Sequence, residues 1–140
     1  MRGRVCIDTN VFIAVKNREK GYEFCERILD DIDDGKLEGV VSTIVIAETL
    51  VGFYKKNEKL EAKKFLNHLL HRYDVRPVDI NIAELASRIR MKGLKMPDAI
   101  VVATAKTTDS ILITKDYKIK YDGVKILSPE KFLERYGGEV

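Results

Sequence analysis

Arg4-Val5-Cys6-Ile7-Asp8-Thr9-Asn10-Val11-Phe12-Ile13-Ala14-Val15 is the stretch that decides the fold. Residues 4–7 form a short apolar run that reads as a strand, and residues 9–15 read as the start of a helix. Asp8 stands at the junction. In an open α/β sheet, strand ends and the helix starts next to them face one crevice, where such folds bind ligands.

Working outward, the same alternation recurs. Residues 22–34 carry Phe24, Ile28, Leu29 and Ile32 on one helical face. Residues 39–42 read as a strand, and 43–56 as a helix capped by Ser42 or Thr43. Residues 58–73 continue as a helix with an apolar stripe of Ala62, Phe65, Leu66, Leu69, Leu70 and Tyr73. Residues 75–78 are a strand that Pro77 assigns to a sheet edge. Residues 80–92 are helical up to Gly93, and Pro97 opens the helix 97–106. Residues 110–114 and 124–127 are the last strands, and 129–136 the last helix. About five strands and seven helices in alternation predict an α/β fold, a parallel sheet covered by helices on both faces.

At 140 residues, with 45% hydrophobic and 34% charged residues, the chain fits one globular domain over 1–140. No apolar run approaches the roughly 18–20 residues that cross a bilayer, and the N-terminal segment lacks a signal peptide's apolar region. A cytoplasmic protein with no membrane partner is expected. Cys6 and Cys25, the only cysteines, have no metal spacing and lie in apolar runs, which predicts buried reduced thiols. The net charge of +3 does not establish nucleic-acid binding, but it removes the repulsion that a polyanion meets on an acidic surface.

Asp8, Glu48, Asp98 and Asp116 each fall where a strand ends or a helix begins. Each has an ordinary structural explanation. Asp8 is a good N-cap, Asp98 suits the positive end of a helix dipole, and Asp116 is a turn aspartate. Glu48 shares a helical face with Ile44, Ala47 and Val51, where a carboxylate is costly unless paired, protonated or metal-bound. A salt bridge to a distant base is the structural account of it. The conjunction carries more weight than any one residue: acids meeting in one crevice repel unless a cation sits among them. The denser cluster of Asp30, Asp31, Asp33 and Asp34 reads instead as the solvated end of a helix.

Taken in order, Asp8-Thr9-Asn10, Glu48 after Val41-Ser42-Thr43, Pro97-Asp98-Ala99-Ile100 and Leu112-Ile113-Thr114-Lys115-Asp116 resemble a PIN domain, in the small form of the VapC-type ribonuclease toxins. The resemblance spans nearly the whole chain. It implies a three-layer α/β/α sandwich, Mg²⁺ or Mn²⁺ dependence and endonucleolytic cleavage of RNA. Asp8, Glu48, Asp98 and Asp116 match the family's acidic metal positions, with Asn10 and Thr114 at its supporting polar positions. The residues after Asp116, Tyr117-Lys118-Ile119-Lys120, hold no further acid where many members carry one.

Hard oxygen ligands suit Mg²⁺ or Mn²⁺. Asp8 and Asp98 are the expected direct ligands, with Glu48 and Asp116 ligating the ion or orienting its waters. Thr9, Asn10 and Thr114 would position a water or a phosphate oxygen. An RNA substrate asks for a basic rim, for which Arg88, Arg90, Lys92, Lys95 and Lys115 are the candidates, with Lys118 and Lys120 also beside Asp116. Each of these also reads as an ordinary solvated charge. His68 and His71, three apart beside Lys64 and Arg72, lack further zinc ligands. The apolar surplus on the second and third helices predicts a homodimer face or a groove for a small antitoxin protein.

Other classes remain open from the residues. A phosphotransfer receiver would need its aspartate on a middle strand, and the third strand offers only Asp79. A haloacid-dehalogenase-like phosphatase would want an acid at Asn10. An RNA-processing nuclease without an antitoxin, or an RNA-binding module with a degenerate acidic site, would share most of the pattern.

Overall fold

The computed structural model describes residues 3–137. In chain order the elements are β1 (Gly3–Ile7), α1 (Thr9–Asn17), α2 (Tyr22–Asp33), β2 (Leu37–Ser42), α3 (Thr43–Lys55), α4 (Lys59–Arg72), β3 (Asp74–Arg76), α5 (Ile80–Arg90), α6 (Met96–Thr107), β4 (Ile111–Ile113), β5 (Ile126–Leu127) and α7 (Pro129–Tyr136). The five strands pair in parallel in the order β3-β2-β1-β4-β5.

Parallel neighbours cannot be joined by tight turns, so the chain crosses back through helices that cover the sheet. Val5, Cys6 and Ile7 on central β1 are all sealed from solvent, although successive side chains point to opposite faces. Both faces are therefore covered, and the architecture is the expected three-layer α/β/α sandwich. On one face Tyr73 and Ile32 close over Gly39 so tightly that a Cβ there would lie 2.7 Å from the Tyr73 ring. On the other, α6 packs on β1, β2 and β4 with α5 beside it. Seven consecutive residues of α6, Ala99 to Ala105, are buried, which explains its nearly continuous apolar sequence.

Several sequence expectations shift. β3 stops at Arg76, one residue before Pro77, because proline has no N–H to give the ladder. It is an edge strand, as Pro77 suggested. α5 ends at Arg90, and a turn occupies residues 91–93. Phe24 and Leu70, assigned to buried stripes, are 43% and 59% exposed. Within the aspartate cluster, Asp31 is buried with its carboxylate 3.7 Å from Arg27, and Asp33 accepts from His68 at 2.8 Å. Those two acids are structural partners rather than solvated charges.

Cys6 and Cys25 are buried free thiols, as expected. Burial pushes both thiols up, Cys25 to about 11. Among the described residues, no helix is long and apolar enough to cross a membrane.

Candidate active site at the carboxyl ends of the strands

The sheet order reverses at β1: its chain neighbour β2 lies on one side and β4 on the other. The register pairs Ile7 with Ile113, so the residues that follow, Asp8 and Thr114, emerge side by side. Backbone bonds extend the pairing, from the Asp8 N–H to the Ile113 carbonyl and from the Thr114 N–H to the Leu127 carbonyl, both 3.1 Å.

Asp8 is buried and is the N-cap of α1, its Oδ1 accepting the Thr9 N–H at 2.8 Å. Its other oxygen accepts from the Thr114 hydroxyl at 2.8 Å and from Asn10 Nδ2 at 3.4 Å. Thr114 Oγ1 also accepts from Asn10 Nδ2 (3.0 Å) and from the Asp116 N–H (3.1 Å). One donor and two acceptors exhaust what a hydroxyl can do. Asn10 completes the stitch, its Oδ1 accepting the Lys115 N–H at 2.9 Å. Cap and site are the same residue at Asp8, and Thr114 and Asn10 serve both.

The remaining acids arrive on separate elements. Ser42 ends β2 and caps α3, accepting the Ile44 N–H at 3.3 Å. Two turns of that helix bring Glu48 to the site, where its Oε1 accepts from the Thr9 hydroxyl at 2.7 Å. The expected burial of Glu48 in an apolar face is incorrect. The buried side of α3 is Val45, Ile46 and Thr49, whereas Ala47, Glu48 and Val51 are not part of it. Nor, among the described residues, is Glu48 locked to an arginine. Asp98 sits in the first turn of α6, half-buried, with no hydrogen-bond partner for its carboxylate among the described residues. Asp116 caps its own turn, accepting the Lys118 N–H at 3.0 Å.

The carboxylates feel one another. Burial pushes Asp8 upward, Thr114 and the Thr9 N–H pull it back, and the charges of Asp98 and Glu48 raise it further. Burial likewise raises Asp98, followed by the charges of Asp116 and Glu48, with Lys95 alone opposing. Among the described residues none of the four forms a salt bridge. Uncompensated carboxylates within electrostatic reach favour a cation or a proton. The donors are all hard oxygens, suited to a small divalent ion rather than a soft one. Among the described residues no three His, Cys, Asp or Glu side chains are arranged to close on an ion. The chemistry of the donor set fits a divalent ion, and the side-chain positions are open around it.

The basic rim divides. Arg88 is held by Glu84 in two bonds of 3.0 Å, Arg90 donates to the Leu94 carbonyl, and Lys115 reaches Glu19 at 3.5 Å and the Lys20 carbonyl at 3.4 Å. Those three are occupied by the protein. Lys92 and Lys95 are exposed and have no such partners among the described residues. His68 pairs with Asp33 and His71 with the Asn67 carbonyl, each in its own local contact.

Comparison with known proteins agrees with the fold. An uncharacterized protein of Archaeoglobus fulgidus is 52% identical over 59 residues, which span 42% of this chain and 97% of the relative. A toxin–antitoxin complex from Klebsiella pneumoniae contains a chain that superposes with a TM-score of 0.71 at 25% identity, covering 89% of this chain and 97% of the other. VapC20 of Mycobacterium tuberculosis, described as a sarcin-ricin loop cleaving toxin, superposes at 0.64 with 16% identity over 81% of this chain and 92% of its own. The family model of the PIN domain matches residues 5–122, and the chain belongs to the PIN domain family.

Proposed function

We propose that this protein is a divalent-metal-dependent endoribonuclease, the toxin partner of a toxin–antitoxin pair, folded as a single catalytic domain. The observation that carries the reading is the set of four acids at the switch of strand order, two of them raised by burial and then by their neighbours' charge, and none neutralised by a salt bridge among the described residues. The family and the toxin–antitoxin relatives support it.

Asp8 and Asp98 would hold Mg²⁺ or Mn²⁺ directly, with Glu48 and Asp116 completing the set or orienting bound water. When bound, such an ion supplies a water of lowered pKa and positive charge against the phosphate. The protein's own part is orientation. Thr114 and Asn10 fix the Asp8 carboxylate in one rotamer, and Thr9 ties Glu48 to the same corner. The Asp98 carboxylate, free of hydrogen bonds among the described residues, can turn toward an incoming cation. Lys95, close enough to Asp98 for its charge to be felt there, is placed to meet substrate phosphate.

The test is cleavage of total RNA with Mg²⁺ or Mn²⁺, with EDTA, and with Asp98→Asn. Cleavage by the parent that disappears in both controls, while the variant melts as a folded protein, is the expected result. Cleavage that persists in Asp98→Asn removes that residue from the chemistry. A parent that neither cleaves RNA nor binds divalent ions would leave a degenerate binding module.

A further inference from the structure

A cavity opens beside Asp116, and a second adjoins it. The larger, about 490 Å³, is walled by Thr114 and Asp116 from the acidic site, by Tyr117 and Lys120 from the loop after β4, and by Lys131 and Arg135 from α7. The smaller, about 300 Å³, shares Lys120, Tyr121 and Asp122 with it and adds Lys92. The shared wall makes them one groove that begins at the acids.

Its charge overlaps the rim expected from sequence at Lys92 and Lys120 and adds Lys131 and Arg135. Lys92, Lys120, Lys131 and Arg135 have no side-chain partner among the described residues, whereas Arg88, Arg90 and Lys115 are held by protein groups. Among the residues that line the groove, only Asp116 and Asp122 oppose those four cations. Tyr117, next to Asp116, is 80% exposed, an aromatic ring left in water at the mouth of the groove. Tyr121 behind it packs on the core.

Unpaired cations along a groove with aromatic rings are the means by which proteins hold single-stranded nucleic acid: phosphates on the cations, bases on the rings. A duplex offers no free base face to Tyr117, and an acidic peptide would gain little from it. The geometry points to a substrate track along which single-stranded RNA leaves the acidic centre past Tyr117 and runs between Lys120 and the Lys131/Arg135 face of α7. This inference rests on the ribonuclease reading above and adds positioning residues to it.

The experiment uses the full-length protein carrying Asp98→Asn, to prevent cleavage, and a short fluorescein-labelled mixed-sequence oligoribonucleotide read by anisotropy. Adding Lys131→Ala with Arg135→Ala should weaken binding roughly tenfold or more and flatten the slope of log affinity against log salt by about 0.7 for each phosphate no longer bound. Tyr117→Ala should weaken binding by about tenfold and Tyr117→Phe should not, because stacking uses the ring rather than the hydroxyl. Lys63→Ala with Lys64→Ala, on the exposed side of α4, is the control and should leave affinity unchanged. Groove variants that bind like their parent overturn the track while leaving the nuclease reading intact. Equal competition by an RNA duplex, or by polyglutamate, which has no bases, does the same. A parent that binds no oligoribonucleotide overturns both.

Discussion

Asp8 and Asp98 are both raised carboxylates at one site, yet they are held in opposite ways. Asp8 is buried, caps α1, and accepts hydrogen bonds from Thr9, Thr114 and Asn10. Asp98 is half-buried, and among the described residues its carboxylate meets only charges, those of Asp116, Glu48 and Lys95. One half of the site is therefore part of the scaffold, and the other is carried by it. Substitutions should separate the two: damage to the first half should cost fold and function together, and damage to the second should cost function alone.

The largest effect is on catalysis and does not discriminate. Asp8→Ala and Asp98→Asn should each lower RNA cleavage by at least about a hundredfold, since metal-assisted charge stabilisation is worth several kcal/mol. Stability then splits them. Asp8→Ala loses the cap of α1, about 1–2 kcal/mol, and leaves the Thr114 hydroxyl without an acceptor. Relief of a buried charge offsets part of that loss. Asp98→Asn removes a repelled charge and no hydrogen bond, so in EDTA its Tm should match or exceed that of the parent, by about 2–4 °C at most. Equal melting losses in the two variants, read by circular dichroism, would erase the distinction.

Thr114→Val probes the first half without touching an acid. The hydroxyl donates to Asp8 and accepts from Asn10 and the Asp116 N–H, all in a buried site. Its removal strands the Asp116 N–H, leaves Asp8 Oδ2 and Asn10 Nδ2 only their mutual 3.4 Å contact, and should cost about 1–3 kcal/mol. Because it also frees the Asp8 rotamer, cleavage should fall as well. Thr9→Val tests the exposed tie to Glu48. It should alter stability by less than about 0.5 kcal/mol, with whatever loss it brings appearing in cleavage.

These contrasts also mark what a sequence can disclose. The scaffold half is legible. A run of buried apolar residues ending in Asp-Thr-Asn announces strand, cap and helix together, and Ser128-Pro129 does the same for α7, whose boundaries are the expected ones. Glu48 is legible in its position and not in its face. In an α3 that reads Ile44-Val45-Ile46-Ala47-Glu48-Thr49-Leu50-Val51, apolar residues lie all round, and periodicity cannot select the buried side. The basic rim is illegible for a different reason. A sequence displays charges but not their partners, and of the rim's ties only the Glu84–Arg88 pair, spaced i to i+4, follows from spacing. The Lys115–Glu19 contact joins residues 96 apart. Nor does spacing make Lys131 and Arg135 neighbours of Asp116, because that requires knowing that β5 pairs with β4 and carries α7 back to the site.

Ligand binding sharpens the comparison further. An ion that binds only the folded chain stabilises it by about 2.7 kcal/mol at a hundred times its Kd. Mg²⁺ should therefore raise the Tm of the parent and leave that of Asp98→Asn nearly unmoved. A full shift retained in the variant would place the ion on Asp8 without Asp98.

The smallest effect is the pH dependence of stability in EDTA, and its sign is fixed by the direction of the Asp98 shift. The folded state raises this carboxyl above its ordinary value of 3.8, so folding favours the protonated form. That contribution is full below the ordinary value and is lost as pH rises through the raised one. Above that window the parent carries a repelled charge that Asp98→Asn lacks, and the variant should be the more stable of the two. Below it Asp98 is protonated and isosteric with asparagine, and the two melting curves should converge. Asp8 is raised in the same direction but is common to both proteins, so it largely cancels in the difference. A gap that stays constant from acid to neutral pH would mean that neither burial nor the charges of Asp116 and Glu48 raise Asp98.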